Sequence, residues 1–320
     1  MSIRGPQNLK KIAVSGASGF VGTAMVDRLV GSGHAVEAFV RSPASVAGRG
    51  RGIGVTSILY PDGWQHGLSD CSAFVHCAAR AHVTSGPARH AAEDFREANV
   101  RLTLSLAREA ARSGVGRFVF VSSIGVHGAS SHGRPFRPDD QPAPHTAYAA
   151  SKLEAEQGLQ ELARETGLEV VVVRPPLVYG PNAPGNFGSL IRMVGSGWPL
   201  PLAGATGNRR SFIAIDNLVD LLMSCAVHPA AANRIILASD GEDLSTSELV
   251  RRIGKAMRRS PRMFTVPKVA MKLAMSVAGR PDAYESLFES LQVDNSETRR
   301  LLGWTPVVSV DEGLALAVSR

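Results

Sequence analysis

Cysteine is scarce and poorly placed for either a disulfide framework or a metal. Three occur in 320 residues, Cys71, Cys77 and Cys225, an odd number with no ligand-type spacing. That excludes a small disulfide-built secreted scaffold and points to reduced thiols in a cytosol. His82, His90, His132 and His145 likewise stand without acids or cysteines at metal-binding spacing, so no metal is expected. No apolar run approaches the length of a membrane span, and the opening MSIRGPQNLKK carries no apolar core of a secretory leader. Aromatics make up only 6% of the chain, and the lysines and arginines are spread out, with no basic run interleaved with aromatics. Neither nucleic acid nor a membrane is therefore expected as a partner, despite a formal net charge of +7. Such a charge suits an anionic small ligand. What these absences leave is a cytoplasmic globular protein, 44% hydrophobic and 20% charged, long enough for two domains.

The stretch that organises the rest is KKIAVSGASGFVG at residues 10–22. A short apolar run leads into Gly16, Gly19 and Gly22, which reads as a buried strand, a tight turn and the first turn of a helix. A phosphate on that turn needs backbone N–H groups in reach and no Cβ in the way, and the helix N-terminus adds partial positive charge. Gly16 then lets the chain reverse, Gly19 admits a pyrophosphate and Gly22 lets helix and strand pack closely.

Downstream, apolar runs alternate with helical patterns. Strands are expected over residues 35–40, 55–59, 73–76, 117–121, 169–173 and 234–238, with helices over 20–31, 91–113, 147–166 and 245–258. Uniformly apolar strands separated by helices of ten residues or more specify an α/β fold, a doubly wound parallel sheet covered on both faces. Residues 42–54 and 125–146 read as loops, and 208–216 as a strand returning to the first domain. The rhythm breaks after Pro176. The division this suggests is a dinucleotide-binding domain of residues 1–176 plus about 211–241. A smaller mixed substrate domain takes about 177–210 plus 242–320. Residues 263–275, which contain several methionines, read as a helical packing face.

Tyr148 and Lys152 are one helical turn apart at the start of the 147–166 helix, and Ser123 follows an apolar strand. A phenol, with a reference pKa of about 10, exchanges protons poorly at neutral pH. An ammonium beside it favours the phenolate, so a lowered tyrosine pKa is expected. The phenol can then pass a proton to or from a carbonyl or alcohol oxygen while hydride moves at carbon, with Ser123 holding the same oxygen.

With GASGFVG, HCAA at residues 76–79, Asn99 in EANV, VSS at 121–123 and YAASK at 148–152, the chain resembles the extended short-chain dehydrogenase/reductases. RPPLVYGP at 174–181, NRRSFIAIDNLV at 208–219 and LLGWTP at 301–306 are similar to its nucleotide-sugar epimerase/dehydratase branch. The resemblance implies a Rossmann-like first domain holding a nicotinamide cofactor and a second domain over a nucleoside-diphosphate sugar. It makes Tyr148 the acid/base, Ser123 rather than Ser122 the carbonyl-orienting hydroxyl, Lys152 the ribose-binding cation, and Asn99 a water-relay or helix-positioning residue. The cofactor is expected against Gly16, Ser18, Gly19, Phe20, Gly22, Arg41, Cys77, Ala78, Ala79, Tyr148, Lys152, Pro175 and Val178. The substrate is expected against Ser123, Asn186, Arg210 and Arg280, with Arg280 a substitute for an arginine-glycine-aspartate segment absent from YESLFESLQV at 284–293. Arg209 is expected to face solvent, and His127, where relatives often carry tyrosine, reads as a surface-loop histidine, with facing the substrate as the other reading. A homodimer is the family's habit.

The second strand ends Phe39-Val40-Arg41-Ser42, with no acid to bind the adenosine ribose. Arg41 could pair with a 2′-phosphate. NADP(H) is therefore favoured, with NAD(H) the other choice. A reduced cofactor consumed in each turnover suits net reduction, so the first expectation is a reductase of a UDP-4-keto-hexose or hexosamine. A UDP-glucose or UDP-N-acetylglucosamine 4-epimerase uses the same residues. A dehydratase of this branch carries Asp-Glu after its active-site hydroxyl, and here Ile124-Gly125 stands there. A non-catalytic dinucleotide- or RNA-binding relative is the remaining class, and the joint Ser123–Tyr148–Lys152 set argues against it.

Overall fold

The computed structural model describes residues 11–42, 53–59, 61–81, 88–277 and 281–319. Seven parallel strands form one sheet. These are β1 (Lys11–Ser15), β2 (Val36–Val40), β3 (Ile53–Ser57), β4 (Cys71–His76), β5 (Arg117–Val121), β6 (Glu169–Arg174) and β9 (Ile235–Leu237), in the order β3-β2-β1-β4-β5-β6-β9. Chain order reverses between β1 and β4, and a crevice for a ligand opens at the carboxyl ends of strands on either side of such a point. Two short strands, β7 (Leu177–Tyr179) and β8 (Phe212–Ala214), pair in parallel outside the main sheet. The predicted 208–216 strand is thus trimmed to three residues, and its partner β7 lies in the Pro-rich segment where the regular pattern breaks.

Helices cover both faces. On one side α1 (Phe20–Gly31) and α7 (Ile215–Val227) pack Met25, Leu29, Leu218 and Leu222 onto Val14, Val75, Val119 and Val173. On the other, α2 (Trp64–Leu68), α4 (Leu102–Arg112) and α5 (Ala147–Thr166) cover Phe74, Phe118 and Phe120, with the Phe74 and Phe118 rings 5.2 Å apart and edge-to-face. Because the strands are buried on both faces, neither alternates polar with apolar. A third cluster joins α6 (Gly185–Ser196), α8 (Thr246–Ala256) and α12 (Val310–Val318) around Phe187, Leu190, Val250, Ile253 and Leu314. The rest of the helices are α3 (Ala88–Arg96), α9 (Lys268–Val277), α10 (Pro281–Phe288) and α11 (Ser296–Leu302).

The 91–113 pattern is not one helix. A π-helical turn over Glu97–Arg101 separates α3 from α4. Elsewhere local signals are obeyed closely. Thr146 caps α5 by accepting from Ala149 N–H at 3.1 Å, and Ser245 with Glu248 closes a capping box on α8. Motifs that carried the family resemblance also knit the fold. Asp240, after β9, accepts from Tyr179 O–H at 2.7 Å, Asn217 Nδ2 at 2.7 Å and Ala214 N–H at 3.0 Å. Asn217 Oδ1 in turn accepts from Val307 and Val308 N–H, and Trp304 Nε1 donates to Asp220 at 3.0 Å.

Candidate active site

Backbone geometry explains the glycine turn. Gly16 has φ +67°, and a Cβ there would lie 2.7 Å from Ala78 N, so the turn after β1 presses on the segment after β4. A Cβ on Gly22 would fall 2.1 Å from Gly16 O, so α1 can approach the turn only with glycine at this position. Gly19 is different. It is the exposed N-cap of α1 with no side-chain cap, and the nearest atom its Cβ would meet is Gly16 O, at 3.2 Å. The uncapped N–H groups of the first turn beside exposed Ser18 and half-buried Phe20 therefore form a cradle that fits a diphosphate. Half-buried Cys77 and Ala78 and exposed Ala79 line the neighbouring strand end, with Cys77 N–H donating to Ser15 O. Burial pushes the Cys77 thiol up to about 12, which suits a packing residue and not a nucleophile.

At the adenosine end, exposed Arg41 follows β2 directly. The acid within that strand, Glu37, is taken up by Lys11 at 2.6 Å and Thr56 Oγ1 at 2.7 Å, facing β3.

Three strands along the sheet, after β5, the paired serines separate. Ser122 is buried and donates to Glu156, whereas Ser123 is half-buried and accepts from Gly125 N–H at 3.1 Å, leaving its own O–H to donate. The structure thus gives the physical ground for choosing Ser123. Tyr148 occupies the first turn of α5, its ring edge-on to Phe95 at 6.1 Å between centroids. Lys152, one turn on, is buried. Its Nζ donates to Val121 O at 2.7 Å and sits 4.4 Å from the centre of the Phe120 ring. The expected lowering of the tyrosine is not found. Burial raises the Tyr148 phenol to about 12 and lowers the Lys152 ammonium to about 8, the latter resisted by Cys77 and Glu156. Desolvation is the cause of the Tyr148 rise and the largest cause of the Lys152 drop, and the ammonium directs a hydrogen bond at a backbone carbonyl.

Asn99 is fully buried in the π-helical turn, with all its amide valences used. It accepts from Arg80 N–H at 2.8 Å and donates to Arg80 O at 3.1 Å and Ser151 Oγ at 3.0 Å. Ser151 Oγ donates to Tyr148 O at 2.8 Å. This arrangement ties the start of α5 to the loop after β4. Beneath it runs a buried polar string, Ser15 Oγ to His76 Nδ1 at 2.5 Å, His76 Nε2 to Thr103 Oγ1 at 2.8 Å, and Thr103 Oγ1 to Asn99 O at 2.8 Å.

His127 is corrected outright. It is buried, not on the surface, stacked 5.1 Å from Phe136 with Nε2 2.8 Å from Arg174 Nη1. A guanidinium only donates, so Nε2 is the acceptor and the proton is on Nδ1. Arg174 itself forks onto Glu156, Nε to Oε1 at 3.1 Å and Nη2 to Oε2 at 2.5 Å, with both residues buried. Sequence reasoning passed over this Ser122–Glu156–Arg174–His127 cluster. Its signal was Glu156 one turn beyond Lys152 facing an arginine at a strand end.

On the substrate side, Asn186 is exposed in the first turn of α6, and Pro175 and Val178 lie at the end of β6 and in β7. Arg210 is half-buried, donating to Glu289 O at 3.0 Å, and burial lowers it to about 10, still cationic at neutral pH. Arg209 pairs with Glu248 at 2.5 Å on the surface, as expected. Arg280 lies outside the described residues. Among those residues no cluster of metal-binding side chains occurs and no helix is long and apolar enough to cross a membrane.

Comparison with known proteins agrees with this geometry. The NAD dependent epimerase/dehydratase family matches residues 12–238. The chain belongs to that family. It is 41% identical over 306 residues to UDP-glucose 4-epimerase of Vibrio cholerae, covering 95% of this chain and 93% of the relative. It is 30% identical to 2-alkyl-3-oxoalkanoate reductase of Stenotrophomonas maltophilia, with 95% and 97% covered. The solved UDP-glucose 4-epimerase of Thermotoga maritima with UDP-glucose superposes with a TM-score of 0.77 at 22% identity, covering 96% of this chain and 97% of that one. The expected fold and family stand as enzymes of this nicotinamide-dependent class.

Proposed function

We propose that the protein inverts configuration at C4 of a UDP-linked hexose or hexosamine, as a 4-epimerase. What carries this reading is the likeness across nearly the whole chain to the Vibrio cholerae epimerase, joined to a Ser123–Tyr148–Lys152 set on two adjoining elements. The cradle at Gly16–Gly19–Gly22 would hold a nicotinamide dinucleotide by its diphosphate, with Lys152 toward its ribose. When bound, that group would supply the hydride acceptor, and then the hydride donor, for C4. Ser123 holds the C4 oxygen by hydrogen bond. Burial by itself keeps the Tyr148 phenol protonated, so it would serve as the base only with a cationic nicotinamide beside it; it would then take the proton from the C4 hydroxyl as the carbon is oxidised and give it back to the 4-keto oxygen once the sugar presents its other face. Asn186 and Arg210 would grip the sugar's diphosphate from the smaller unit, an arginine fork binding two phosphate oxygens.

One observation favours a second reading, net reduction of a 4-keto nucleotide sugar by NADPH: Arg41, with no acid, ends β2 where a carboxylate would select NAD. Incubation with UDP-glucose or UDP-N-acetylglucosamine and NAD separates the two. The epimerase forms the C4 epimer with no net change in reduced cofactor. If no epimer forms and NADPH is oxidised one for one with a UDP-4-keto sugar, the reductase takes its place.

A further inference from the structure

The positive charge is not as evenly spread as the linear sequence suggests. Between residues 249 and 281 there are nine lysines and arginines and no acid. That stretch alone exceeds the whole chain's formal net charge of +7, leaving the rest slightly acidic. Arg252 and Lys255 are spent on Glu242 and Asp311, but Arg258, Arg259, Arg262, Lys268 and Lys272 are exposed.

The same stretch exposes apolar side chains where a soluble helix would be polar. In α9 the buried Met271 and half-buried Met275 face the protein. At roughly 100° per residue, Val269, Leu273 and Val277 fall on the opposite side. They are 81%, 66% and 82% exposed. Lys268 and Lys272 run beside them as a parallel stripe, with Lys272 Nζ 5.9 Å from the Tyr284 ring centre. A few residues before α9, the backbone pairing of Leu200 with Arg262 and Phe264 brings half-exposed Phe264 beside the segment after Trp198. Trp198, 75% exposed, borders a 340 Å³ hollow shared with Arg259 and Arg262. None of these residues belongs to the site built on Ser123, Tyr148 and Lys152.

We infer that the face made by α9, Phe264 and Trp198 is a docking surface for an anionic lipid bilayer, on which the protein rests without crossing it. A helix with an apolar face bordered by lysines, together with an exposed tryptophan, has the chemistry to insert shallowly while its cations meet lipid phosphates. The charge argues against the alternatives. A second copy would set like-charged patches against each other, and a nucleic acid would leave the Val269–Leu273–Val277 stripe in water. The expectation of no membrane partner, drawn from the lack of spanning runs and from cations that looked evenly spread, overlooked the acid-free stretch at residues 249–281.

The test is co-sedimentation of the full chain with phosphatidylcholine vesicles, with and without about one-third phosphatidylglycerol. The wild type is expected to pellet with the anionic vesicles only, and to be released at about 0.5 M salt, where charges are screened within a few ångströms. The variant Val269→Ser/Leu273→Ser/Val277→Ser, all at exposed positions, should lose about tenfold or more of that partition while keeping wild-type turnover and melting temperature. Pelleting that the triple variant does not diminish, or no pelleting of the wild type, overturns the proposal. So does a light-scattering mass showing that the triple substitution breaks a dimer, or retention on nucleic acid in place of vesicles.

Discussion

Tyr148 and Lys152 share a helix face, yet each is held by its own surroundings before any ligand arrives. Burial raises the phenol to about 12, and Lys152 donates a hydrogen bond to the Val121 carbonyl, so desolvation and not mutual contact sets the state of each. Behind them, Glu156 carries Ser122 and both arms of Arg174 within the protein interior. Glu156→Leu strands a buried guanidinium and should cost about 3–5 kcal/mol in urea unfolding. Adding Arg174→Met should restore most of that loss, since it removes the unpaired charge and not merely its partner. If the single variant unfolds at the wild-type midpoint, the cluster is not structural. The residues proposed to touch the chemistry could be picked from the sequence because phenol, ammonium and hydroxyl at those spacings have few other uses together. His127 was not, because nothing in a Gly/Pro/Ser-rich loop announces that one of its histidines will turn inward onto an arginine from a distant strand.

The elements were read from periodicity, and the misses have local causes. The helices Phe20–Gly31 and Ala147–Thr166 match the spans read from periodicity, and the structure starts them at Gly19 and Thr146. The 91–113 segment keeps helical periodicity through a π turn, since one inserted residue changes the face presented without a breaker residue to mark it. Strand β7 is three residues long beside two prolines, too short for any alternation to register. The turn between β1 and α1 makes the sharpest prediction at this scale. Gly22→Ala places a methyl inside contact distance of the Gly16 carbonyl, so α1 must back away from the cradle. Overpacking of this kind costs about 1–3 kcal/mol, and dinucleotide affinity measured by calorimetry should fall roughly tenfold or more. Wild-type affinity in the variant would remove Gly22 from the account.

Across the whole molecule, the sheet, its two helical layers and the unit built on α6, α8 and α12 follow from an alternating apolar pattern that breaks after Pro176. Tertiary pairing beyond that break, as at Tyr179 with Asp240, joins residues too far apart in the chain for a linear reading. Folding also excludes protons. His76 is lowered to about 3 and His127 to about 4, each by burial first and by a neighbouring cation second, from an ordinary value near 6.5. Below that ordinary value the unfolded chain takes up protons the folded one refuses, so stability is full above about pH 6.5 and falls as pH drops toward 4. Urea midpoints should decline over that window, and His127→Gln should flatten the decline; a flat wild-type profile would contradict the buried neutral pair. The central claim, that Tyr148 exchanges the proton at sugar C4, is tested most directly by turnover of UDP-glucose by Tyr148→Phe with cofactor occupancy confirmed by absorbance. A loss of about 10²–10⁴-fold at unchanged occupancy is predicted; turnover at the wild-type rate would contradict it.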